Sequence, residues 1–150
     1  MLRVTRLTDY ATLLMTVLAR APAEVHSGAA LAERARLELT TASKVLKSLA
    51  QAGLIEGLRG AYGGYRMARP AREISLLEIV EAIEGPLGLT ECSVAEANCD
   101  RSGFCTVAPH WNRVNEVIIQ ALRGMSLDRM LETPLPPVHG AQRLPAHQPD

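Results

Sequence analysis

Along the N-terminal half of the chain the apolar residues recur at helical spacing, interrupted once by a glycine-rich stretch between two short extended runs. Leu7, Tyr10, Ala11, Leu14, Met15 and Leu18 form one stripe. With Thr8 as cap and Asp9 as a first-turn acid, it predicts a helix over 8–19. Ala21–Val25 reads as a connector, and Ser27 then caps a short helix carrying Ala30, Leu31 and Ala35. A break over 36–39 leads into a longer helix, capped by Thr40 or Thr41, with Ala42, Val45, Leu46 and Leu49 on its apolar side and Gly53 as its stop. A short helix, a tight turn and a longer helix in succession are the layout of a helix-turn-helix. Directly behind it, the runs 54–59 and 65–68 flank the tip Gly60-Ala61-Tyr62-Gly63-Gly64. That is a β-hairpin, and in this place a wing.

Ser75 heads the next helix, over 74–83, with Leu76, Leu77, Ile79, Val80 and Ile83 apolar; Gly85-Pro86 breaks it. Residues 87–109 show little periodicity. Pro109 suits the first turn of a new helix, whose stripe is Trp111, Val114, Val117, Ile118, Ala121 and Leu122 and whose end is Gly124. Ser126 caps a last short helix with Leu127, Met130 and Leu131. From Thr133 onward five of eighteen residues are proline and few are large and apolar, which predicts a disordered tail. The expected fold class is mainly α with a small β-wing. It divides into a winged helix-turn-helix DNA-binding domain over 1–84, a cysteine loop over 85–108, a long C-terminal helix plus a short one over 109–132, and the tail over 133–150.

Composition changes this picture in two respects. Of 150 residues, 47% are apolar but only 3% aromatic, so the core must be aliphatic. The formal net charge is zero, which taken alone argues against a nucleic-acid binder. Its distribution argues the other way. Residues 1–70 hold ten Lys/Arg and five Asp/Glu, and the remainder holds six and eleven. A basic half able to neutralise phosphates is joined to an acidic half. The N-terminus has no unbroken apolar h-region, and no run approaches the roughly 20 apolar residues of a membrane span. The chain is therefore expected to be soluble and cytoplasmic.

The helix from Thr40 carries its polar residues Thr40, Thr41, Ser43, Lys44 and Lys47 off the apolar stripe. Short polar and basic groups there can meet base edges and phosphates in a major groove, though a solvated helix face has the same pattern. The wing adds Arg59, Tyr62 and Arg66 around a tip whose glycines allow close backbone approach. An arginine beside such a tip can enter a minor groove. Helix-turn-helix and wing in this order specify double-stranded DNA far more strongly than either part.

The three cysteines follow Cys92-x6-Cys99-x5-Cys105. Thiolates are soft ligands for an iron–sulfur cluster or zinc. Structural zinc sites favour paired Cys-x2–4-Cys knuckles, and this wider spacing has none. Three thiols leave a further ligand to be found: His110, which also reads as a plain first-turn residue, or Asp9, which also reads as an acid favoured by the helix dipole. A zinc-stabilised DNA-binding module remains an alternative. A cysteine-nucleophile enzyme has no His/Asp constellation in its favour, because His139 and His147 lie in the expected tail.

The start Leu7-Thr8-Asp9-Tyr10-Ala11, the wing 59–65, the stretch Ile74–Glu84 and the three-cysteine loop together resemble the Rrf-type family of bacterial transcription regulators, over about Met1–Leu131. Glu91-Cys92-Ser93 and the prefix Met1–Val4 look closest to its branch regulating the SUF iron–sulfur assembly system. The resemblance implies a homodimer, paired through the long helix at about 109–124 and facing a palindromic operator. It also implies a regulator, most often a repressor, whose iron–sulfur cluster (2Fe-2S or 4Fe-4S) is held by Cys92, Cys99 and Cys105. One branch of the family takes a histidine three residues after its last cysteine as fourth ligand. Here that position is Ala108. Another branch takes an aspartate from a Thr-Asp-Tyr-like start on the partner chain, and Asp9 matches it. A family acid on the recognition helix is Ser43 here, so operator preference does not transfer.

Overall fold

The computed structural model of the chain describes residues 3–94, 99–101 and 103–132. Six α-helices and one hairpin occur among them: α1 (Arg6–Ala19), α2 (Gly28–Ala35), α3 (Leu39–Gln51), β1 (Ile55–Leu58), β2 (Gly64–Met67), α4 (Leu76–Glu84), α5 (Ala108–Arg123) and α6 (Leu127–Leu131). Short 3₁₀ turns lie at Ala71–Glu73 and Glu91–Ser93. The expected tail, 133–150, lies outside the described residues.

The core is aliphatic, as the composition requires. Leu14, Met15 and Leu18 of α1, Leu31 of α2, Leu46 and Leu49 of α3, and Leu54, Ile55, Ile74, Ile79 and Leu127 are all essentially inaccessible to solvent. The helix α6 returns to this core from beyond α5. Leu127 N–H donates to the Ile74 carbonyl (2.8 Å) and Leu76 N–H to the Met125 carbonyl (2.8 Å). Ile74, expected inside a helix, is held instead in this extended pairing; α4 begins two residues on. Ser75 caps α4 in a reciprocal box with Glu78, which satisfies two amide donors that the first turn leaves open.

Two helix starts differ from expectation. Thr8 is not the cap of α1; Thr5 is, accepting from the Thr8 amide, and Thr8 itself is buried inside the helix. Neither Thr40 nor Thr41 caps α3. It starts behind Glu38, with no side-chain cap. The tight turn sets that start: Arg36 takes a left-handed conformation (φ 55°) after α2, and Leu37 N–H reaches back to the Ala32 carbonyl (2.8 Å). Chain direction into α3 is thus fixed before any cap is needed.

The hairpin pairs Ile55 with Met67 and Leu58 with Gly64 in antiparallel register. A partner absent from the sequence reading is His26, which exchanges two backbone hydrogen bonds with Tyr65 (2.9 and 2.8 Å). This bridge anchors the wing to the loop before α2. It requires glycine at position 64, where a Cβ would overlap the His26 carbonyl.

Candidate nucleic-acid interface and cysteine loop

The three-helix core presents one side of α3 outward. Ala42, Val45, Leu46 and Leu49 are buried, while Thr40, Ser43, Lys44 and Lys47 are exposed and Thr41 is half-buried. Sequence reasoning assigned both faces correctly because a single apolar stripe of helical period determines them together. Beside α3 the wing carries Arg59 and, at its tip, Tyr62, which is 96% exposed. A fully exposed tyrosine on a glycine-rich tip has no packing role in the folded chain.

A crevice of about 680 Å³ separates α3 from the wing. It brings Lys47 and Arg59 to its walls, together with Gln51 and the backbone at Ser27-Gly28. Gln51 and Ser27 were missed from sequence, since only the fold places the start of α2 against the wing. Arg66 stands apart from this group. It lies opposite Glu56 in the ladder, and its Nε donates to Glu56 Oε2 at 2.9 Å. Both partners are well exposed, so this ion pair is weak and exchangeable.

Between α4 and α5, Cys92, Cys99 and Cys105 are free thiols of intermediate exposure. Cys92 is held in the 3₁₀ turn before α5, with its Sγ 3.1 Å from the Thr90 hydroxyl. Among the described residues, no three His, Cys, Asp or Glu side chains converge to hold a metal ion. Asp9 is exposed in the first turn of α1 and makes no ion pair among the described residues. It lies on the rim of a groove formed with Arg3, Val4, Leu76, Val80, Leu122 and Met130. His110 is exposed in the first turn of α5.

The carboxylate most engaged near Asp9 is Glu84, at the end of α4. Its Oε1 accepts from the hydroxyls of Thr5 (2.5 Å) and Thr8. The Thr5 hydrogen bond, then that of Thr8, holds its carboxyl below the usual glutamate range. Nothing in the local sequence signals this tie between the start of α1 and the doorstep of the cysteine loop.

A helix-turn-helix with an exposed basic recognition face, a wing bridged to its base and a separate thiol-bearing segment define a winged-helix transcription regulator with a second, chemically distinct region. The profile of the Rrf2 family, described as iron-dependent transcriptional regulator, matches residues 4–133. The chain belongs to that family. It is 35% identical over 98 residues to the HTH-type transcriptional regulator NsrR of Shouchella clausii, covering 65% of this chain and 66% of the relative. Among solved structures it resembles CymR, the global cysteine regulator of B. subtilis (TM-score 0.68, 25% identity, 87% of this chain and 97% of that one). It also resembles IscR of T. potens (TM-score 0.66, 28% identity, 87% and 86%). Among the described residues no helix is long and apolar enough to cross a membrane.

Proposed function

We propose that this chain is a homodimeric, cytoplasmic repressor of iron–sulfur assembly genes of the SUF type. In this reading it grips a palindromic operator and senses through an iron–sulfur cluster, 2Fe-2S or 4Fe-4S. Thr40, Thr41, Ser43, Lys44 and Lys47 of α3 meet the major groove, and Arg59, Tyr62 and Arg66 of the wing meet the adjoining backbone and minor groove. Cys92, Cys99 and Cys105, with Asp9 of the partner subunit, are the cluster ligands. The observation that carries the reading is the pairing, in one chain of an iron-dependent regulator family, of an exposed recognition face with three free thiols on the segment between α4 and α5.

By donor chemistry the residues fit: three partly exposed soft sulfurs, none in a disulfide. A cluster bound there supplies metal–thiolate bonds that are lost on oxidation or depletion. The protein's part is to place Asp9 where a second copy's loop can reach it. What supports this is that Asp9 is exposed, free of ion pairs among the described residues and set on a groove rim. A carboxylate ligand would bind more weakly than a thiolate, which would make the inter-subunit link the labile one. Opening would reset the spacing of the two recognition helices.

The test is an anaerobic visible spectrum with iron, sulfide and zinc assays on the same sample, followed by operator binding. Iron-thiolate bands absent from Cys92→Ala, and a gap between apo and cluster-loaded operator affinity that shrinks in Asp9→Ala, are expected. A colourless protein that holds zinc after reconstitution with iron and sulfide overturns the sensor and leaves the DNA-binding assignment standing. A nitric-oxide or redox-responsive repressor of the same family is the second reading, favoured by three free thiols of intermediate exposure. It predicts operator affinity that follows thiol oxidation in metal-free protein.

A further inference from the structure

The segment bearing Cys92 is folded back on itself as a hook. Val94 packs on the Cα of Gly88 so closely that a Cβ there would overlap its methyl group. The 3₁₀ turn Glu91–Ser93 is closed by Ser93 N–H donating to the Thr90 carbonyl (2.9 Å) and Val94 N–H to that of Glu91 (3.3 Å). Inside the hook the Thr90 hydroxyl lies 3.1 Å from Cys92 Sγ and 2.8 Å from Ser93 Oγ. Two asparagines, three residues apart on α5, tie the hook down. Ser93 Oγ donates to Asn112 Oδ1 (3.0 Å), and the Leu89 backbone N–H donates to Asn115 Oδ1 (3.1 Å).

Asn115 is the buried residue of α5, at 5% exposure, whereas Trp111, Val114 and Val117 face outward. A helix that buries its asparagine and exposes its valines is not arranged for its own packing. The burial is consistent because the side-chain oxygen is matched to a backbone donor, and losing either partner would leave the other desolvated and unsatisfied. Residues three apart lie on one side of a helix, so Asn112 and Asn115 present one polar seat to the hook.

We propose that Asn115, assisted by Asn112, is a positioning residue that seats the Cys92 segment on α5, so that Cys92 is held in place before any group binds. The role toward a cluster rests on the ligand reading above; the seat itself does not. Groups of this kind, which fix a ligand without touching the metal, govern affinity through the geometry they impose.

The test compares the full chain as wild type, Asn115→Leu, Asn115→Asp and Asn112→Ala. In the metal-free reduced protein, amide hydrogen exchange at Leu89 is expected to accelerate at least about tenfold in Asn115→Leu, with the α1 amides at Leu14–Leu18 unchanged. Asn115→Asp keeps an acceptor and is expected to restore protection. After anaerobic addition of iron and sulfide, Asn115→Leu is expected to lose the visible circular dichroism of the wild type and to release iron several-fold faster, and Asn115→Asp to recover both. Unchanged Leu89 exchange in Asn115→Leu overturns the proposal. So does accelerated exchange accompanied by wild-type dichroism and iron retention. If the wild type assembles no cluster, the ligand reading fails and Leu89 exchange alone decides the seat. If Asn115→Leu does not fold, Asn112→Ala decides: its exposed bond can be removed without harm to the core, and faster exchange at Ser93 is expected, with unchanged exchange overturning the seat.

Discussion

Thr8 is a polar residue with about 1% of its surface exposed, one position before Asp9. Its hydroxyl and that of Thr5 converge on one oxygen of Glu84, so a carboxylate at the end of α4 gathers the first turn of α1. Because these donors favour the ionised form, Glu84 titrates below the ordinary value of 4.5. A depressed folded pKa stabilises the fold above the unfolded pKa, and that contribution fades as pH falls through the folded one. Glu84→Gln keeps an acceptor but removes the charge. It is therefore expected to lower stability by about 0.5 kcal/mol near neutral pH, the difference between a charge-assisted and a neutral hydrogen bond at an exposed site. In urea denaturation the two proteins should differ at about pH 7 and converge in acid, as pH falls through the lowered pKa of Glu84. A gap that persists in acid would mean that the carboxylate's charge is not what ties α1 to α4. Sequence pointed to Thr8 as a cap, correctly sensing a hydroxyl near a helix start. It had no access to a partner 76 residues away, because polar pairs at long range leave no periodic trace.

Helices and hairpin were legible for the opposite reason: an apolar stripe repeats, and each repeat reinforces the last. The faces of α1 and α3, the wing and the cap at Ser75 all follow from local sequence; the reciprocal bond from Glu78 was not read there. What failed was the junction between α2 and α3, where geometry overrides capping preference. Arg36 at φ 55° makes that junction. A non-glycine residue in this region carries steric strain that glycine does not. Arg36→Gly is therefore expected to raise stability by about 0.5–1 kcal/mol, read as a higher urea midpoint with an unchanged slope. A drop in stability would show that the arginine side chain contributes more to the junction than its backbone costs. The His26–Tyr65 bridge was equally invisible, since a strand of one residue has no period. It nonetheless makes the wing's position a consequence of the loop before α2 rather than of the hairpin alone.

Over the whole molecule, the unresolved term is α5. The sequence placed an apolar stripe on it, and in the single chain the outer part of that stripe has no cover among the described residues: Trp111 is 46%, Val114 45% and Val117 64% exposed, while Ile118 and Leu122 are half-buried. The cysteine spacing predicts a ligand set, whereas the seat that α5 provides for Cys92 has no such trace, because it depends on two asparagines indistinguishable in sequence from solvated ones. Both faces of α5 therefore acquire meaning only with neighbours, the hook on one side and, in the proposed dimer, a second α5 on the other. Val117→Glu separates this from a simple exposed helix. In a lone chain the substitution removes little buried area and should leave stability within about 0.5 kcal/mol of wild type. In a dimer it sets a carboxylate in an apolar interface, where it must be desolvated without a partner. The expected outcome is a monomer by sedimentation velocity at concentrations where the wild type is dimeric, with helical content retained. Operator affinity should fall by about a hundredfold or more, because each wing and recognition helix then binds a half-site without the gain from simultaneous engagement. A variant that sediments like the wild type would place the contact elsewhere, and would leave the exposed valines of α5 to another partner.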